Sequence, residues 1–173
     1  MVIKQPDGPS LLALERQVRE RGTTLEASAL QGSWRLQQVW SKGASASSPL
    51  SNWALQGLRA RLELEPLQGP QLRVSNAVNL GPLELRFIGE GHLKGRRPLL
   101  MFSFQTMVVK AWGRCWMQRT LPAPAPKRLP FFALIARSPD GWLAARGRGG
   151  GLALWQLDPS AKAAFGTIPP ASC

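Results

Sequence analysis

The chain is poor in the residues that usually do chemistry. Its 173 residues hold one histidine, two cysteines, no tyrosine and ten carboxylates. One histidine (His92) and two distant cysteines (Cys115, Cys173) do not assemble a zinc site or an iron–sulfur cluster, which need several clustered ligands. The carboxylates are spread along the chain, which leaves little for a carboxylate-rich metal cage or for metal-free acid–base work. No metal and no cofactor are expected, and the chain reads as a binder rather than an enzyme. Long apolar runs are missing too. No stretch approaches the roughly 20 residues of a membrane-spanning helix, and Met1–Gly8 lacks the apolar core of a signal peptide. The expectation is a soluble, cytoplasmic chain whose two cysteines are compatible with free thiols in a reducing compartment.

What is present is positive charge and indole. Lys and Arg number 22 against ten acids, a net charge of +12, and there are seven Trp and six Phe. The length fits one domain, and a domain of this size buries about 70% of its unfolded surface without a disulfide or metal staple.

The first segment has the pattern of a helix, with Ser10 as cap, Leu11, Leu12, Leu14 and Val18 as apolar stripe, and Gly22 as stop. Thr23-Thr24-Leu25-Glu26 resembles a capping box that opens a second short turn up to Leu30. From Leu30 the period becomes two. Trp34, Leu36, Gln38 and Trp40 fall on one face, and Leu58, Ala60, Leu62 and Leu64 alternate with Arg59, Arg61, Glu63 and Glu65. Similar alternation recurs around Leu72–Val78, Leu83–Phe87, Leu100–Val108, Trp112–Gln118, Leu129–Arg137, Trp142–Arg146 and Gly151–Leu157. Turn signals separate these runs, at Gly69-Pro70, Gly81-Pro82, Gly95, Asp140-Gly141 and Gly147–Gly151. The spacing predicts eight or nine antiparallel strands, mostly β, closed as a barrel that leaves no free edge. The organisation is then a helical leader over residues 1–29, a β-barrel over 30–158 and an irregular tail over 159–173. Ser41–Ser51 and the proline-rich Leu121–Pro130 are expected as loops.

Within such a barrel the apolar faces carry three polar interruptions, Gln38, Asn76 and Thr106. A buried polar group needs a partner, and a cavity lined by Trp40, Leu62, Phe87, Phe102 and Phe104 with these few polar groups is what an apolar ligand requires. Gly32 lets the chain turn into the barrel and Trp34 plugs its end, with Arg146 placed to stack on that indole. Arg146-Gly147-Arg148-Gly149-Gly150-Gly151 lies between two apolar runs and reads as a hairpin turn rather than an RNA-binding element. Trp112-Gly113-Arg114-Cys115-Trp116 reads as two indoles around a guanidinium, and His92 as a turn residue.

Leu30-Gln31-Gly32-Ser33-Trp34-Arg35-Leu36 and Arg146-Gly147-Arg148-Gly149-Gly150-Gly151-Leu152, with the leading helix and Pro98–Phe104, resemble the plastid lipid-associated protein (fibrillin) family. That family pairs an L-x-G-x-W strand with a late R-G-x-x-G-x-L segment, and Leu30, Gly32, Trp34, Arg146, Gly147, Gly150 and Leu152 match. Its frequent aspartate–arginine pair before the R-G motif is reduced here to Asp140, with Leu143 at the arginine position. The resemblance implies a lipocalin-like (calycin) barrel that binds an apolar lipid, isoprenoid or pigment in a photosynthetic organism. A short chain without transit peptide suits a cyanobacterium-type member, peripheral to the thylakoid.

The charge then has a candidate use. Arg59, Arg61, Lys94, Arg96, Arg97, Lys127 and Arg128 fall on strand outsides and turns, where they suit an anionic membrane surface. Two alternatives stand beside this reading: a basic β-barrel that binds nucleic acid on its surface, and a lipocalin-type lyase that attaches a bilin chromophore. The strand faces read from the sequence offer the nucleic-acid alternative no exposed ring for base stacking, which weighs against it. The oligomeric state is not encoded in any of these signals.

Overall fold

The computed structural model describes residues 5–42 and 60–160. The chain opens with α1 (Gly8–Arg21) and a short 3-10 turn (Ala27–Leu30). Nine strands follow: β1 (Gly32–Trp40), β2 (Arg61–Pro66), β3 (Gln71–Leu80), β4 (Leu83–Lys94), β5 (Leu99–Ala111), β6 (Arg114–Thr120), β7 (Phe131–Arg137), β8 (Trp142–Gly147) and β9 (Leu152–Leu157). All pairings are antiparallel, in the order β4-β3-β2-β1-β9-β8-β7-β5-β6, and β4 also pairs with β5. The strands therefore close into a barrel-like ring, with β6 attached outside it as an edge strand. The long β5 makes this possible: its first residues pair with β7 and its last six with β6, while β4 runs along its other side.

The cap of α1 is Asp7 rather than Ser10. Its Oδ1 accepts from the Ser10 amide at 2.9 Å, and Pro9 fills the first turn, where a missing N–H costs nothing. Gly22 ends the helix at φ 76°, where a side chain is strained, and a Cβ there would meet the Arg96 carbonyl oxygen at 2.8 Å. The next amide, Thr23, donates to that same oxygen at 2.9 Å, which ties the helix end to the β4–β5 turn. The predicted capping box is absent: the Thr23 hydroxyl accepts from the Leu25 amide at 3.1 Å, and Glu26 precedes the 3-10 turn without a side-chain cap.

Two cores lie on opposite sides of the sheet. Inside the ring, Leu30, Trp34, Leu62, Leu64, Leu72, Val74, Leu100, Phe102, Leu143 and Trp155 pack together. Outside it, Leu11 of α1 covers Trp40, Ile135, Ala144, Leu152 and Leu154. The helix thus seals the outer wall of β7, β8, β9 and β1. Glu15, one turn after Leu11, reaches Arg146 at 2.5 Å beside this patch.

Two β-bulges change which face residues occupy, because one extra residue shifts the side-chain alternation. In β1, Leu36 pairs with Trp155 but Gln38 with Leu154, so Gln37 is extra. Gln38 and Trp40 consequently face outward with the α1 core. In β5, Phe104 pairs with Gly89 but Thr106 with Ile88, so Gln105 is extra and Thr106 also faces outward. The expected ligand-lining roles of Gln38, Trp40 and Thr106 are corrected accordingly.

Candidate ligand-binding site

The ring interior is closed at one end. Gly32 enters β1 at φ 150°, with the Leu157 side chain so near that a Cβ would clash with it. Trp34 is fully buried, and its indole N–H donates to the Leu30 carbonyl at 2.9 Å. Both residues lie at the start of β1, beside the 3-10 turn. Arg146 does not join them, because it pairs with Leu152 on the outer face. There it holds both Glu15 oxygens and the Gly150 carbonyl instead of an indole. Gly147 and Gly150 form the β8–β9 turn, with the Gly150 amide donating to the Gly147 carbonyl at 2.9 Å.

From this closed end a line of rings crosses the interior. Trp155 meets Phe132 at 5.4 Å between centroids, Phe132 meets Phe102 at 5.2 Å, Phe102 meets Phe104 at 5.3 Å, and Phe104 meets Phe87 at 5.5 Å. Leu62 and Phe102 are buried in the packed core, whereas Phe104 and Phe87 are only half-buried. Beyond Phe87 the inward side of β3, β4, β5 and β6 continues as rows of paired residues. One row is Asn76, Phe87, Met107 and Arg119, and the next is Val78, Leu85, Val109 and Met117. Leu80 and Leu83 pair at the outer end. These positions are half-buried or exposed, although nearly all are apolar.

The other side of the same strands has the opposite character. Ala77 and Val108 are buried there beneath charged neighbours. Arg86 reaches Glu63 at 2.5 Å and Glu84 at 2.9 Å, and Lys110 lies 3.8 Å from Glu84. Burial works against the Arg86 charge, yet Glu63 and Glu84 together hold its proton more tightly than usual. The outer face is therefore closed by ion pairs, and the inner face is apolar and open. Asn76 is the one amide in the inner rows, and its side chain makes no hydrogen bond among the described residues. Arg119 ends the same row, exposed and without an ion pair among the described residues. An apolar surface with a few polar anchors is the arrangement that orients a lipid-like ligand.

A second feature gathers the charge. Arg19 and Arg21 of α1 join Lys94, Arg96 and Arg97 of the β4–β5 turn around a cleft of about 520 Å³, with Glu20 at its wall and Leu99 and Met101 lining it. Only Arg19 has a carboxylate partner among the described residues, Glu15 at 2.9 Å. The sequence singled out Lys94, Arg96 and Arg97 but not the helix arginines that meet them. Their position in the last turn of α1, just before Gly22, was the available signal. The remaining expected cations are scattered. Arg61 is half-buried on the outer face beside Ala77, Lys127 and Arg128 are exposed in a 3-10 turn, and Arg59 lies outside the described residues. Arg148 pins that turn by donating to the Lys127 and Leu129 carbonyls.

Three smaller expectations also change. His92 is an exposed residue within β4, paired with Gln71 and Met101, not a turn residue. Trp112 and Trp116 are exposed and do not enclose Arg114. Cys115 is disulfide-bonded rather than a free thiol, and Cys173 lies outside the described residues. Among the described residues no cluster of His, Cys, Asp and Glu could hold a metal ion, and no helix is long and apolar enough to cross a membrane. No known protein-family model matches the chain, and no curated protein matches it.

Proposed function

We propose that the protein is a non-enzymatic binder of an apolar small molecule of lipid, isoprenoid or pigment type. The ligand lies on the inward side of β3–β6, against Phe87, Leu85, Met107 and Val109, with its polar end toward Asn76 or Arg119. The observation that carries this reading is the open apolar face that continues the interior line of rings and includes one amide, Asn76, without a side-chain hydrogen bond among the described residues. The resemblance to plastid lipid-associated proteins supports the ligand class, and the association with an anionic, thylakoid-type membrane belongs to the same proposal. The ligand site lies beyond the packed core of Trp34, Leu100, Phe102 and Trp155, toward the open end of the ring.

The test is a titration of the full chain with an environment-sensitive apolar dye, followed by displacement with lipids and isoprenoids. Phe87→Ala is expected to weaken dye binding about tenfold, the effect of losing one large apolar contact. Leu100→Ala, in the packed core, lowers stability but leaves the affinity of the folded fraction unchanged. Equal affinity in Phe87→Ala and the parent chain overturns the proposal. Organic extraction of protein purified from its native host, read by absorbance and mass, identifies the ligand.

A further inference from the structure

Two hairpin turns lie side by side at the far end of β4 and β5. One joins Leu80 to Leu83 and the other joins Ala111 to Arg114, and the Trp112 amide donates to the Pro82 carbonyl across them at 2.9 Å. Together they expose five large apolar side chains: Trp112 at 76%, Trp116 at 71%, Leu80 at 55%, Met117 at 45% and Leu83 at 38%. The rings are held out by the backbone. Trp112 has φ 49°, the one positive value outside glycine among the described residues, and Gly113 follows at 75°. Such a turn favours Asn-Gly, and a bulky residue at its first position is strained. Trp116 is the extra residue of a bulge, since β6 passes from Cys115 opposite Lys110 to Met117 opposite Val109. Arg114 and Arg119 are exposed on the same strand, without ion pairs among the described residues.

We infer that this double tip is a membrane-docking surface that places Trp112 and Trp116 in the interface of a bilayer containing anionic lipid, with Arg114 against the headgroups. Indoles favour the boundary between headgroup and acyl chain, and cations near an anionic leaflet add electrostatic attraction. Charge complementarity with a chain of net charge +12 selects this occupant. A nucleic acid would stack on the two rings but gains nothing from Leu80, Leu83 and Met117. A second copy would bring two arginine-bearing edges together. The inference extends the lipid-binding proposal, because the tips border the apolar face, yet it is read by a separate measurement.

The full chain is mixed with vesicles of phosphatidylcholine, with and without phosphatidylglycerol, and partitioning is measured by flotation. The parent chain is expected to float with the anionic vesicles. Trp112→Asn, which suits the turn and therefore folds at least as well, and Trp116→Ser are each expected to weaken partitioning about tenfold, the loss of one buried aromatic contact. Dye binding at the Phe87 face is expected to stay within twofold of the parent, which separates failure of docking from failure of the ligand site. Unchanged partitioning in both variants overturns the inference. So does loss of partitioning only when Arg96 and Arg97 are reversed, or a tip that instead binds a labelled single-stranded oligonucleotide or sets a monomer–dimer equilibrium.

Discussion

At the residue scale, the clearest energetic statement concerns Glu15. Its side chain is 8% exposed and accepts from Arg146 and Arg19. The Arg146 hydrogen bonds hold its carboxyl below the ordinary value of 4.5 against the opposing effect of burial, and Arg19 adds to them. A depressed carboxylate stabilises the fold fully above its unfolded value, and that contribution is lost as pH falls through the folded value. The melting temperature should therefore drop on acidification below about pH 4.5, the ordinary glutamate value. Glu15→Gln should be destabilised by about 1 to 2 kcal/mol at neutral pH, since it removes the carboxylate partner of the part-buried Arg146. Its own melting curve should be less sensitive to acid, so parent and variant converge at low pH. Asp158 also titrates below its usual range, through its hydrogen bond with Ser160 and then Arg35, so the comparison with the variant isolates Glu15. Parallel pH profiles in the two proteins would contradict the assignment.

At the element scale, the bulges decide what the sequence can and cannot disclose. Strand existence was legible, because alternating apolar residues from Leu72 to Leu157 need a pleated, half-buried setting. The turns at Gly81, Gly95, Gly141 and Gly147–Gly151 were legible for the same reason: Gly and Pro mark where the backbone must reverse. Face assignment beyond a bulge was not, since one extra residue leaves no dedicated signature. Its trace was nevertheless present. Gln38 and Thr106 are polar residues on apparently apolar stripes, and both follow an extra glutamine. Read that way, a polar interruption marks a register shift, and Asn76, which lies on an unshifted strand, remains as the inward polar group. Phe87 and Phe104 lie side by side on the inward face, 5.5 Å between centroids, whereas the openness of that face depends on the way β6 pairs beyond the ring, which spacing does not encode. Deleting Gln37 removes the extra residue, so Leu36 stays opposite Trp155, Gln38 stays opposite Leu154 and Trp40 stays in the α1 core. A stability within about 1 kcal/mol of the parent is expected, read by chemical denaturation. A loss of about 3 kcal/mol or more, the scale of losing a buried tryptophan, would show that the bulge itself is needed to hold Trp40 against α1.

At the scale of the whole molecule, the cation-lined cleft and the apolar surface lie at opposite ends of the long β4–β5 hairpin. The cation-lined cleft surrounds the Lys94–Leu99 turn, while the apolar rows and exposed tips lie toward Leu83 and Ala111. Phe87 lies seven residues before Lys94 along β4, a separation on the order of 23 Å at about 3.3 Å per residue. That exceeds the Debye length of roughly 8 Å in physiological salt, so the cleft exerts little field on the apolar face. The two surfaces should therefore act independently, as sites without shared partners do. Reversing both Arg96 and Arg97 to Glu is expected to weaken binding of a polyanion such as heparin and to reduce its salt dependence. The same variant should bind the apolar dye within twofold of the parent chain. Conversely, Phe87→Ala should leave polyanion binding intact. A double variant whose two losses are the sum of the single ones establishes two separate sites. A dye affinity that follows the cleft charge would instead place ligand and charge in one site, and would move the ligand away from the β3–β6 face.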